Sequence, residues 1–206
     1  IMKKFPSSIP VFPLSGVIYF PKTNLPLNIF EQRYLDLVKD AYNKDKFMGM
    51  VQPKKEGKSV YQIGCLGKIN NYQMSKDGRI LINLTGVSRF KILEEISNDK
   101  LYREFKVDYK DFDGDTEDIK NEIDIKSLLL NAKDFFKRYG LLLNWQEFEK
   151  LSQSQIINTL AMIAPITNEE KQKLLESVSL AEIVKTLENI IKFYLYEANF
   201  NNQTIQ

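Results

Sequence analysis

The residue types that ordinarily do chemistry are scarce in this chain of 206 residues. Histidine is absent and Cys65 is the only cysteine. That removes any Cys/His zinc site, any Ser-His-Asp or Cys-His nucleophile, and any intrachain disulfide. An all-carboxylate metal site or a Ser–Lys dyad remains formally open. Neighbouring carboxylates occur at Glu94-Glu95, Glu117-Asp118 and Glu169-Glu170. Adjacent residues diverge by about 100° on a helix and face opposite sides on a strand, so none is a ready acid–base pair. They read as solvated faces and helix-start charges. Ser–Lys neighbours are frequent in a lysine-rich chain and single out no dyad. Gly57-Lys58-Ser59 has the ending of a phosphate-binding loop, yet Gln52 stands where that loop needs glycine, and 60–63 looks extended where it needs a helix. No catalytic residue, cofactor-binding residue or metal ligand is assigned, and no cofactor is expected.

Composition sets wider limits. The length suits one large domain or two small ones. Apolar content of 43% and charged content of 27% are ordinary for a globular chain. No apolar run approaches the roughly 20 residues that span a bilayer. Met2-Lys3-Lys4 opens like a signal peptide, but Pro6, Ser7, Ser8 and Pro10 stand where its apolar core belongs. A cytoplasmic location without membrane attachment is expected. Residues 1–113 carry 19 Lys/Arg against 13 Asp/Glu, and residues 114–206 carry 10 against 14, so a basic half precedes an acidic one. Only five of the cations are arginine, which favours a solvated lysine surface over a nucleic-acid patch.

The elements follow from punctuation and period. Across 9–34, three short apolar runs are broken by Pro10, Pro13, Gly16, Pro21 and Pro26, a pattern that excludes helix and favours extended segments. A helix opens near Glu31, with Tyr34, Leu37, Val38, Ala41 and Tyr42 on one stripe. Glu31 falls within the apolar arc, tolerable in a first turn that faces the positive end of the helix dipole, and Arg33 is its nearest partner. Both read as fold-fixing residues. Strands follow at 47–51, 60–68, 69–74 and 79–85, the last two joined at Ser75-Lys76-Asp77-Gly78. Gly86 turns a corner into the next strand, and 101–109 completes the set. Phe12, Tyr19, Phe20, Phe30, Tyr34 and Phe47 could stack on single-stranded nucleic acid, but their positions predict core packing.

Asp113-Gly114-Asp115-Thr116 reads as a linker, with helices after it. Ile125 to Tyr139 form a stripe closed by Gly140. Asn144 can cap a short turn, and Ser152/Gln155, Thr167/Glu170 and Ser179/Glu182 have capping-box spacing. The last helix presents Leu180, Ile183, Val184, Leu187, Ile190, Ile191 and Tyr194, and 199–206 is a polar tail.

Three stretches together resemble the N-terminal (LON) domain of Lon-type ATP-dependent proteases. They are PLSGVIYFPKTNLPLNIFEQRY (13–34), GCLGKI with DGRILINLTGVSRFKI (64–69 and 77–92), and NTLAMIAPITNEEKQKLLE (158–176). The residues carrying the motif are Phe30, Glu31, Arg33, Tyr34, Gly78, Arg79, Gly86, Arg89 and Phe90, read as mainly structural; no ligand-contact residue is assigned. Ala164 replaces the family's usual leucine before the proline. The resemblance implies an α+β fold: a closed, PUA-like β-barrel with one inserted helix over 9–113, then a helical bundle over 116–198. It implies a non-catalytic, stand-alone module without the ATPase and Ser–Lys peptidase parts. Such a module binds unfolded or hydrophobic polypeptide, or serves as an adaptor beside a Lon-type protease. An apolar groove where the two halves join is the expected place for a peptide. An RNA-binding PUA-like protein is the alternative. Oligomeric state is left open.

Overall fold

A computed structural model describes residues 4–55, 57–117 and 119–203. Met2 and Lys3, which open the signal-peptide reading, lie outside them, as does Asp118 of the Glu117-Asp118 pair. The chain divides into two compact units, 1–117 and 118–206.

The described residues of the first unit form six strands: β1 Ser8–Pro13, β2 Asn24–Ile29, β3 Phe47–Val51, β4 Ile63–Met74, β5 Ile80–Ile96 and β6 Arg103–Asp108. One helix, α1 Gln32–Asn43, lies between β2 and β3. The sheet order is β2-β5-β4-β3-β1-β6, and β6 pairs back with β5. Five strands thus close a ring, with β1 and β3 parallel and the other pairs antiparallel. Strand β2 stands outside the ring, paired to the first half of β5 alone. Closure pairs the outer edge of β6 with the second half of β5, the two edges an open five-stranded sheet would leave, around a core of Ile9, Val11, Val51, Leu66, Phe90, Phe105 and Val107.

Several expected breaks are absent. Residues 60–74 and 79–96 contribute two long strands, not four short ones, because pairing with neighbours on both sides outweighs the local glycines. Gly86 turns no corner. The bend there is a bulge, where Leu66 pairs Ser88 but Gly67 pairs Gly86. Gly86 is required for another reason: a Cβ would overlap the Phe20 carbonyl oxygen. The middle apolar run, 17–20, forms no strand. Ile18, Tyr19 and Phe20 are instead buried plugs, and the Tyr19 hydroxyl donates to the Leu84 carbonyl at 2.5 Å. The supposed linker at 113–116 belongs to a 3₁₀ turn, Lys110–Thr116, with Phe112 buried.

The second unit comprises α2 Lys126–Arg138, α3 Trp145–Phe148, α4 Gln153–Ile163, α5 Asn168–Glu176 and α6 Leu180–Gln203. Local signals set its boundaries. The Ser152/Gln155 and Thr167/Glu170 capping boxes are both fully formed, and Glu182 N–H donates to Ser179 Oγ at 3.2 Å. Gly140, at φ +69°, ends α2 with its N–H on Lys137 O and the Leu141 N–H on Phe136 O. Helix α6 extends through residues 199–203, expected as tail.

Candidate functional site

The β2–α1 corner carries the densest motif residues. Glu31 is the residue flanking α1, and its carbonyl accepts the Tyr34 and Leu35 N–H groups at 2.9 Å. Its carboxylate makes no cap bond; it meets Arg33 Nη2 at 2.9 Å and Nε at 3.2 Å. Both side chains are about half exposed, 55% for Arg33 and 48% for Glu31. The Arg33 guanidinium lies 4.8 Å from the Tyr34 ring centre, and Tyr34 packs against Phe12 at 3.8 Å. Burial pushes the Tyr34 phenol above its ordinary pKa. Phe30 corrects the expectation of core packing: it is 67% exposed. Ile29 is buried, and strand alternation turns its successor outward.

The remaining motif residues sort by register. Ile29 lies opposite Ile80 as the last pair of the β2–β5 register, and Arg79 precedes Ile80 at the tip of the β4–β5 hairpin. Gly78 N–H donates to Ser75 O at 3.0 Å, and Arg79 pairs with Asp77 at 2.6 Å, holding that exposed carboxyl below its usual range. Gly86, Arg89 and Phe90 lie inside. Arg89 Nη2 meets Asp115 Oδ1 at 2.8 Å, its Nε meets Oδ2 at 3.0 Å, and its backbone N–H donates to Oδ2 at 2.8 Å. These side chains are 3% and 9% exposed, and the guanidinium stacks 4.4 Å from the Phe112 ring centre. The motif thus splits into a surface set (Phe30, Glu31, Arg33, Gly78, Arg79) and an interior set (Tyr34, Gly86, Arg89, Phe90).

Between the surface residues runs a three-stranded arm made of β2 and the adjoining halves of β5 and β4. Its inner face has three apolar rows: Leu25–Leu84–Ile69, Leu27–Ile82–Tyr72 and Ile29–Ile80–Met74. Its outer face has a polar ladder, where Asn70 Nδ2 donates to Thr85 Oγ1 and Thr85 to Asn24 Oδ1, at 2.5 and 2.8 Å. Leu81, 42% exposed, is opposite Asn28, which makes Phe30 its diagonal neighbour; Met74, 55% exposed, ends the inner row. The sequence reading singled out none of Asn24, Asn70, Thr85, Leu81 or Met74. Alternating Asn24, Pro26 and Asn28 was the available signal.

The neighbouring carboxylates among the described residues are engaged with separate partners. Glu94 pairs with Lys106 and Glu95 with Arg103, so the two neighbours face different cations. Glu170 Oε2 accepts the Thr167 N–H and the Tyr194 hydroxyl. Cys65 is fully buried, and burial pushes its thiol well up. Among the described residues no cluster of His, Cys, Asp or Glu could hold a metal ion, and no helix is long and apolar enough to cross a membrane. A depression of about 140 Å³ beside α1 holds Asp40 and Tyr102, but the phenol donates to the carboxylate at 2.6 Å and is pushed up to about 12 by burial and that bond.

Known proteins match the same scaffold. A Lon protease from Syntrophus aciditrophicus is 24% identical over 93% of this chain and 26% of its own length. One from Malacoplasma penetrans is 29% identical over 86% of this chain and 24% of its own. The chain therefore spans about a quarter of these relatives. Among solved structures, a Lon N-terminal domain protein from Xanthomonas campestris superposes with a TM-score of 0.64 at 21% identity, covering 88% of this chain and 97% of that one. The N-terminal domain of a Mycobacterium avium complex Lon protease gives 0.64 at 18% identity, covering 90% and 98%. Residues 8–192 match the family described as the ATP-dependent protease La (LON) substrate-binding domain, and the chain belongs to that family.

Proposed function

We propose that this chain is a non-catalytic polypeptide-binding module that engages unfolded or apolar segments of protein substrates and presents them to a Lon-type protease. The observation that carries the reading is the end of the arm, where Phe30, just past β2, and Leu81 of β5 are exposed on the outer face and Met74 is exposed at the end of the inner one. Large apolar side chains gathered at a surface favour contact with another apolar surface. The family description, a substrate-binding domain, points the same way. The second unit has apolar surface of its own, with Leu142, Phe193 and Tyr196 exposed.

The nucleic-acid alternative finds less support. Of the six rings named for stacking on a single strand, Phe12, Tyr19, Phe20 and Tyr34 are buried and Phe47 is partly so, which leaves Phe30 exposed. Fluorescence anisotropy with a labelled, reduced and alkylated unfolded protein tests the proposal. Saturable binding with a Kd on the order of 10 µM is expected, weakened in Phe30→Ser. Absence of saturation well above that concentration overturns it. A pull-down with a Lon-type protease tests the adaptor part, which fails if the protease is not retained.

A further inference from the structure

We propose that the outer edge of β2 takes up an extended polypeptide segment as an added strand, an inference resting on the polypeptide-binding reading. The hydrogen bonds of β5 show which way β2 faces. Gly86 N–H donates to Thr23 O and Gly86 O accepts the Lys22 N–H, both at 2.9 Å. Alternation then turns the backbone groups of Leu84, Ile82 and Ile80 toward β2 as well, where their partners are Leu25, Leu27 and Ile29. The N–H and C=O of Asn24 and Asn28, and the C=O of Pro26, consequently point away from the sheet. Among the described residues β2 pairs with β5 only.

The edge is open by the measures that ordinarily close one. Edge strands are blunted by charge, bulges, cover or proline. Residues Asn24–Ile29 include no charged side chain, and their register with β5 has no bulge. Only Pro26 blunts it, and Pro26 also selects the occupant. If two copies paired edge to edge in full antiparallel overlap, Pro26 would meet Pro26 and two carbonyls would face each other without a donor. A foreign segment with an ordinary residue there supplies the missing N–H. Side chains point to the same occupant: Leu25 and Leu27 are only partly buried, and alternate apolar residues on an added strand would extend their rows.

The test uses the whole chain and a fluorescein-labelled 12-residue peptide of alternating valine and threonine, with versions N-methylated on one or the other alternate set. The unmodified peptide binds, one methylated set loses binding about tenfold or more, and the other is tolerated. Asn28→Pro weakens binding similarly while Asn28→Ser does not. Amide exchange of the parent guards against misfolding of the proline variant: peptide slows Asn24 and Asn28 and leaves Leu25 and Leu27 unchanged. Equal binding of both methylated peptides, or protection confined to other residues, overturns the edge. Binding of alkylated unfolded protein without the alternating peptide overturns it too, and leaves the polypeptide-binding reading standing. Binding of neither overturns both.

Discussion

Two arginine–carboxylate pairs, both with arginines from the family motif, sit within the first unit under opposite conditions. Arg33–Glu31 is about half exposed and joins residues two apart. Arg89–Asp115 is almost fully buried and joins residues 26 apart. Coulomb attraction is similar at contact, but water screens the first pair and competes for its hydrogen bonds. The second pair has no water to return to. Removing one partner there strands a charge in the core. Sequence motifs mark both arginines alike; burial sets them apart, one enclosed in the core and the other open to solvent.

The largest effect that would break this contrast is Arg89→Ala. It should lower unfolding stability by about 3–5 kcal/mol, read by urea titration, and a loss below about 1 kcal/mol would dissolve the distinction. Labelling of Cys65, which lies opposite Arg89 in the β4–β5 register, gives an independent view. Its buried thiol should react only through opening of the ring, and Arg89→Ala should speed labelling about 10²–10⁴-fold; unchanged rates would place Cys65 on a local route. Thr167→Ala, which removes the α5 cap in the second unit, should cost about 1 kcal/mol. Arg33→Ala should cost less than about 1 kcal/mol and affect polypeptide binding more than the melting midpoint. The smallest effect concerns Glu95, whose carboxyl Arg103 holds below its usual range. A depressed folded-state pKa contributes stability above the ordinary Glu value of about 4.3, lost as pH falls through the folded value. Because both groups are partly exposed, Glu95→Gln should flatten the acid limb of stability against pH by only a few tenths of a kcal/mol.

Legibility in the sequence followed sequence separation. Caps at Ser152 and Thr167, the Gly140 stop and the Asp77-Gly78 turn all act across three to five residues, so their residue types announce them. That β1 and β2 are extended on either side of a non-helical 14–23 was readable because prolines act locally. The exposure of Phe30 was not, because a large aromatic beside strand residues is ordinarily buried. Nor was Asp115: in Asp-Gly-Asp it resembles a linker, and only the 3₁₀ turn that carries it to Arg89 shows otherwise.

By itself, the chain's order of residues determined its family, the β-then-α succession, the starts of α4 and α5, the end of α2 and the poverty of catalytic groups. These rest on short-range hydrogen bonding and on residue chemistry, which need no partner far along the chain. Tertiary structure decided which arginine is buried, that two long strands replace four short ones, and that β2 stands outside a closed ring with one edge open. Each of those depends on register between distant segments, settled by how the whole set of apolar rows packs at once.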